Sequence, residues 1–70
     1  MGVRELDVAV VRERLRVAVV RVGGRAKWCR LCGLDRSHVY EFLDGRRKSP
    51  GTKALAAIGV RKSFVEDIDE

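Results

Sequence analysis

The side chains of this 70-residue chain that could do chemistry lie close together, between Arg25 and Lys48. Cys29 and Cys32 form a C-x-x-C preceded by Trp28 and followed by Gly33, the spacing of a redox dithiol. That chemistry needs a strand before a helix whose N-terminus exposes the first thiol and lowers its pKa. No strand pattern precedes Cys29, and the chain has no room for a thioredoxin-like sheet. Both cysteines are therefore read as free, small core residues, unbridged in a reducing cytosol. Zinc needs four ligands; Cys29, Cys32 and His38 supply three, and Glu41 would have to complete the set. His38 is the single histidine, has no titrating partner in sequence, and is expected on an exposed helix face. No carboxylate pair lies near it and no glycine loop could cradle a phosphate. The expectation is no enzyme, no cofactor, no metal and no small-molecule pocket. What remains is a polar set, Arg36, Ser37, Tyr40 and Glu41, whose spacing places it on one helical face. The Arg36 fork matches O6 and N7 of guanine, and Ser37 can serve a base or a phosphate. Glu41 can accept from N4 of cytosine, and Tyr40 offers its ring to a thymine methyl.

Such a face is useful only if rigid elements hold it. The spacing predicts a short helix over Arg25–Cys32, a corner at Gly33–Leu34–Asp35, and a second helix over Arg36–Asp44 closed by Gly45. Gly33 supplies the left-handed residue of the corner, and Asp35 is a good N-cap for the second helix. Trp28 and Cys32 at i and i+4, Leu34, and Val39 and Phe42 at i and i+3 form the apolar side. Cys29 stands where only a small side chain fits between crossing helices. Two short helices around a glycine turn make a helix-turn-helix, whose second helix enters the major groove of DNA.

Elsewhere the pattern is plainer. Asp7 is expected to cap a first helix to about Val22, with Val8, Val11, Leu15, Ala18 and Val22 on the inner face. Arg12, Glu13, Arg14, Arg16 and Arg21 mostly take the outer one. Gly23-Gly24 ends it. Ser49-Pro50 reads as the start of a fourth helix over Pro50–Ile58 that buries Leu55 and Ile58, with Val60 returning to the core. Residues 1–6 read as an arm, and the tail is predicted to hold a short strand. The fold class is all-α, four helices, with that C-terminal strand.

Residues 1–62 carry all 15 Lys and Arg against six acids, a net of +9, whereas residues 63–70 carry four acids and no base. A basic body favours a polyanion partner. One domain is expected over 1–62, with 63–70 as an acidic tail. The longest apolar run, Val17–Val20, is far short of the ~20 residues that cross a bilayer. No signal peptide is visible, so the expected location is the cytoplasm.

The central stretch resembles the lambda-repressor/Cro-like helix-turn-helix family, in particular small phage and prophage regulators. Gly24-Arg25-Ala26, Trp28-Cys29-Arg30, Gly33-Leu34-Asp35-Arg36-Ser37, Val39 and Phe42-Leu43-Asp44-Gly45-Arg46-Arg47 carry the match. Ser49-Pro50-Gly51 and Leu55–Val60 follow the same rhythm. The resemblance covers roughly residues 10 to 60. The family usually has Gln where Arg25 stands, Leu at Trp28 and Ala at Cys29. It implies a sequence-specific double-stranded-DNA-binding regulator that occupies an operator as a homodimer. Arg36, Ser37, Tyr40 and Glu41 would read bases. Arg25, at a helix N-terminus suited to anions, would join Arg46, Arg47 and Lys48 on phosphates. Lys27 and Lys53 read as solubilising flankers. In related regulators the tail can pair with a copy of itself, so Phe64, Val65 and Ile68, with little else to pack on, are the expected dimer surface. The rival readings are a protein-interaction module, such as an antitoxin or adaptor, and a small zinc-binding domain.

Overall fold

The valine-rich stretch after Asp7 becomes the longest element. The computed structural model describes residues 2–61 and 63–68, with residues 67 and 68 described by their backbone alone. In chain order the elements are strand β1 (Gly2–Glu5), helices α1 (Val8–Val22), α2 (Arg25–Cys32), α3 (Arg36–Leu43) and α4 (Thr52–Ala57), and strand β2 (Val65–Ile68). In α1 the apolar period overrides the modest helix propensity of valine, because tertiary burial supplies most helical stability. Asp7 takes the N-cap position, but its carboxylate makes no capping hydrogen bond. Val11, Leu15 and Val19 are buried, with Val8, Ala18 and Val22 packed half-buried beside them. The buried line thus passes through Val19, which the predicted stripe left out in favour of its neighbour Ala18.

The corner between α2 and α3 forms as its residues dictate. Gly33 adopts a left-handed φ of 67°, and the Leu34 N–H donates to the Cys29 carbonyl at 2.8 Å, closing the last turn of α2. Asp35 then caps α3, its Oδ1 accepting from the Ser37 N–H at 2.8 Å. At the far end the Arg46 N–H donates to the Glu41 carbonyl at 2.8 Å.

Several expectations need correction. Helix α4 does not begin at Pro50: Gly51, at φ 101°, is its N-cap, a conformation that suits glycine and stops any helix running through it. Ser49 Oγ instead accepts from the Gly51 N–H at 3.2 Å, Pro50 is buried ahead of the helix, and Ile58 falls just past its end, half-buried. Residues 2–5 are not a loose arm. They form β1, antiparallel to β2, with Gly2 opposite Ile68 and Glu5 opposite Val65. The predicted C-terminal strand is present, but its partner is the start of the same chain. Phe64 also has something to pack on, since it joins the rim of the helical core. It does so at φ 60°, its carbonyl accepting from the Leu6 N–H at 2.8 Å and its N–H donating to Arg61 at 2.9 Å.

The core gathers Val11, Leu15 and Val19 of α1, Trp28 and Cys29 of α2, Val39, Phe42 and Leu43 of α3, Ala54 and Leu55 of α4, and Val60. Cys32, expected beside Trp28, is exposed. It projects from the helix between Trp28 and Cys29, but as the last residue of α2 it lies one turn beyond that buried pair.

Two arginines expected on the outer face of α1 fasten other elements to it. Arg12 donates from Nε to the Phe42 carbonyl at 2.7 Å and from its second amino group to the Arg47 carbonyl at 3.4 Å. Its guanidinium also lies 4.8 Å from the centre of the Phe42 ring. Arg14 binds both carboxylate oxygens of Glu66 in β2, and Arg4 of β1 approaches the same carboxylate at 3.5 Å.

Replacing Arg12 by Met keeps the apolar stem but removes a charged donor and a ring contact. Denaturant unfolding should show a loss of about 1.5–3 kcal/mol. The hydrogen bonds from Arg14, then the charges of Arg14 and Arg4, hold the Glu66 carboxyl below its ordinary pKa. The native state therefore binds this proton more weakly than the unfolded chain. The stabilisation is complete above the unfolded carboxyl pKa and is lost as pH falls through the lower folded value. Thermal melts of wild type and Glu66→Gln should differ at pH 7, wild type being higher, and converge as pH falls below about 4.

Candidate nucleic-acid interface

Helix α3 turns Val39, Phe42 and Leu43 inward, which fixes what faces out. Arg36 and Ser37 in its first turn are exposed, whereas Tyr40 and Glu41 in the next turn are half-buried. Arg36 has no acidic partner among the described residues. Beside it a cleft of about 330 Å³ runs between α2 and α3, lined by Ala26, Cys29, Arg30, Leu34 and Arg36.

The start of α2 lies alongside the second half of α3, and Arg25 makes the join. Its guanidinium sits 5.4 Å from the centre of the Tyr40 ring and 3.3 Å from the Asp44 carboxylate at the C-cap of α3. The N-cap of α2 is Gly24, so no side chain caps its first N–H groups. These unfilled donors and the positive end of the helix dipole lie beside the Tyr40–Asp44 edge.

After α3 the basic loop divides. Arg46 and Lys48 are exposed and have no acidic partner among the described residues. Arg47 turns back, approaching Glu41 at 3.7 Å and donating from Nε to the Ser49 carbonyl at 3.3 Å. Of the eight residues singled out from sequence, Arg36, Ser37, Tyr40 and Glu41 share one face of α3. Arg25 and Arg47 are tied to it through Tyr40 and Glu41, and Arg46 and Lys48 lie in the loop after it. They fall into two groups. Arg36, Ser37, Arg46 and Lys48 are open to solvent, while Arg25, Tyr40, Glu41 and Arg47 hold one another or nearby groups. Two acids here, Glu41 and Asp44, are each matched by an arginine; Asp35, the N-cap of α3, accepts from the Ser37 N–H instead.

Arg12 belongs to this site although the sequence did not point to it. By binding the Phe42 and Arg47 carbonyls it anchors both the end of α3 and the basic loop to α1. Its only signal was its place at the margin of the apolar stripe. His38 is exposed, lining a separate shallow cleft with Pro50 and Lys53. Among the described residues no group of three or more His, Cys, Asp and Glu could hold a metal ion. Cys29 and Cys32 face different environments. No helix of the described residues is long and apolar enough to cross a membrane. Of the expected dimer residues, Phe64 and Val65 are half-buried, and the Ile68 side chain lies outside the described part.

Comparison of the chain with known protein families, with curated proteins and with solved structures gave no match.

The cysteines allow a direct check of the packing at the α2–α3 crossing. Burial pushes the Cys29 thiol up, with smaller contributions from Cys32 and Asp35, and the thiolate is the reactive form. A thiol reagent at pH 8 should label one cysteine of the native protein quickly, at Cys32, and reach the second only on unfolding.

Proposed function

We propose that this chain is a non-enzymatic, sequence-specific double-stranded-DNA-binding regulator that occupies an operator as a homodimer. The observation that carries this reading is the arrangement of α2 and α3. Two eight-residue helices meet at a left-handed glycine, and the outer face of the second holds an unpaired arginine at its start and a basic loop at its end. In this reading α3 lies in the major groove and Arg36 takes the guanine edge with two parallel hydrogen bonds. Ser37 reaches the neighbouring base or its phosphate. Tyr40, kept in place by Arg25, presents its ring edge to a thymine methyl, and Glu41 accepts from cytosine. Arg46, Lys48 and the uncapped start of α2 take phosphates, which set the position of the helix and carry no sequence information. Arg25 and Arg47 exchange their carboxylate partners for phosphates on binding.

The resemblance to small phage and prophage regulators supports the same reading. So does the net of +9 over residues 1–62, which favours encounter with DNA at low salt. A module that reads a few bases gains its specificity by pairing, with two recognition helices about 34–36 Å apart on one face of the duplex.

Selection of the purified protein on random duplexes at near-physiological salt tests this. An inverted repeat with half-sites about one helical turn apart is expected, and Arg36→Ala should relax one base position at a cost of about 1–3 kcal/mol. A pool that stays unenriched overturns the proposal.

A further inference from the structure

Helix α1 has a second apolar face that the core does not use. Val10 and Val17 are exposed and, with Ala57 and Ile58 at the end of α4, line an open groove of about 590 Å³ edged by Glu13 and Arg21. We propose that this groove is the surface through which two copies of the chain associate, α1 packing antiparallel on α1.

The charges on the groove select the occupant. Glu13 and Arg21 stand four residues before and four after Val17, so all three lie on one face of the helix. A two-fold axis at Val17 sets Val17 on its own copy, and each Glu13 against the second copy's Arg21, twice over. Such a contact is isologous, the same patch meeting itself. A partner of single charge would meet one edge of the wrong sign. Arg21 has no acidic partner among the described residues; Glu13 has only Arg16 one turn away, at 2.9 Å, on the solvent side. Arg14, also on this face, is already held by Glu66.

The basic loop stays clear of the contact. Arg12, which anchors that loop, follows Val10 by two residues, about 200° around the helix. The association therefore leaves α3 and its loop open. It supplies the second half-site reader that the proposed function needs and rests on that reading for its purpose alone. A helix of 15 residues offers less than the ~800 Å² per partner of a tight complex, so the dimer is expected to dissociate in the micromolar range.

Sedimentation of the full chain without DNA, over a series from low micromolar to millimolar, is the test, and its outcome is independent of any operator. Wild type should pass from monomer to dimer. Val17→Asp, at an exposed position, should weaken this at least tenfold while leaving the helical circular dichroism and its melt in place. Glu13→Arg and Arg21→Glu should each weaken it, and the double exchange should restore it, because the two charges swap across the axis. Should Val17→Asp fail to fold, the two exposed charge exchanges and their combination decide alone. A wild type that stays monomeric throughout, a dimer that survives Val17→Asp, or a double exchange that restores nothing overturns the proposal.

Discussion

The structure depends on Phe42 and on what Arg12 does to it. Phe42 is fully buried, on the inner face of α3 where that helix meets α1. The Arg12 guanidinium lies over its ring and binds its carbonyl. One side chain thus answers three needs. The ring gains a cation on its face. The Phe42 carbonyl near the end of α3, which accepts from the Gly45 N–H at 3.1 Å, gains a second and charged donor. The negative end of the helix dipole meets a positive charge. The same guanidinium holds the Arg47 carbonyl. One residue of α1 thus ties down both the end of α3, whose outer face is fixed by the burial of Val39, Phe42 and Leu43, and the chain leaving it.

The polar side of α3 obeys a second constraint. Glu41 and Asp44 would repel a polyanion, yet each is matched by an arginine of the same surface. All four partners are roughly 40% exposed, and pairs this open contribute about 0–1 kcal/mol. They neutralise the acids in the free protein without fixing the arginines firmly. On the proposed reading, phosphates can displace the carboxylates at little cost, leaving Glu41 free to accept from a base. The Arg25–Tyr40 contact has a different consequence, for it joins the start of α2 to the reading helix.

The α2–turn–α3 unit was legible because its signals are local and agree. Gly33 needs no partner to adopt a left-handed turn, Asp35 caps the helix that begins at the next residue, and the apolar spacing of Val39 and Phe42 points the same way. The start of α4 was misread because two local signals competed. Ser-Pro is a good helix opening, but Gly51 follows at once, and its positive φ is decided by how the chain must turn to bring Leu55 into the core. Strand β1 was not legible. Its four residues are all exposed and carry no alternation; they become a strand because β2, sixty or more residues away, lies beside them. Arg12 was hidden for the same kind of reason: its partners are carbonyls, which every residue has and no sequence marks. Of the site, the types and the shared side were readable. Which side chains are already engaged was not, since pairs such as Arg25 with Asp44 span the fold.

The acidic end of the chain changes meaning once these long-range pairs are known. Read linearly, four acids in the last eight residues form a tail that could recruit a basic partner. In the fold, Glu66 is part of the body: Arg14 of α1 grips it with both amino groups, and Arg4 of β1 approaches from the other strand. A two-stranded sheet of four-residue strands is marginal by itself, and a domain of this size has little core to spare. The carboxylate lets the sheet share the stability of α1, joining the two ends of the chain to the longest helix. It also removes two arginines from the pool of open positive charge. What remains unpaired and exposed around α3 is Arg36 at its start and Arg46 and Lys48 beyond its end. Around α3 the bases Arg25, Arg36, Arg46, Arg47 and Lys48 outnumber the acids Asp35, Glu41 and Asp44, so a local excess of base gives this part of the chain its positive charge.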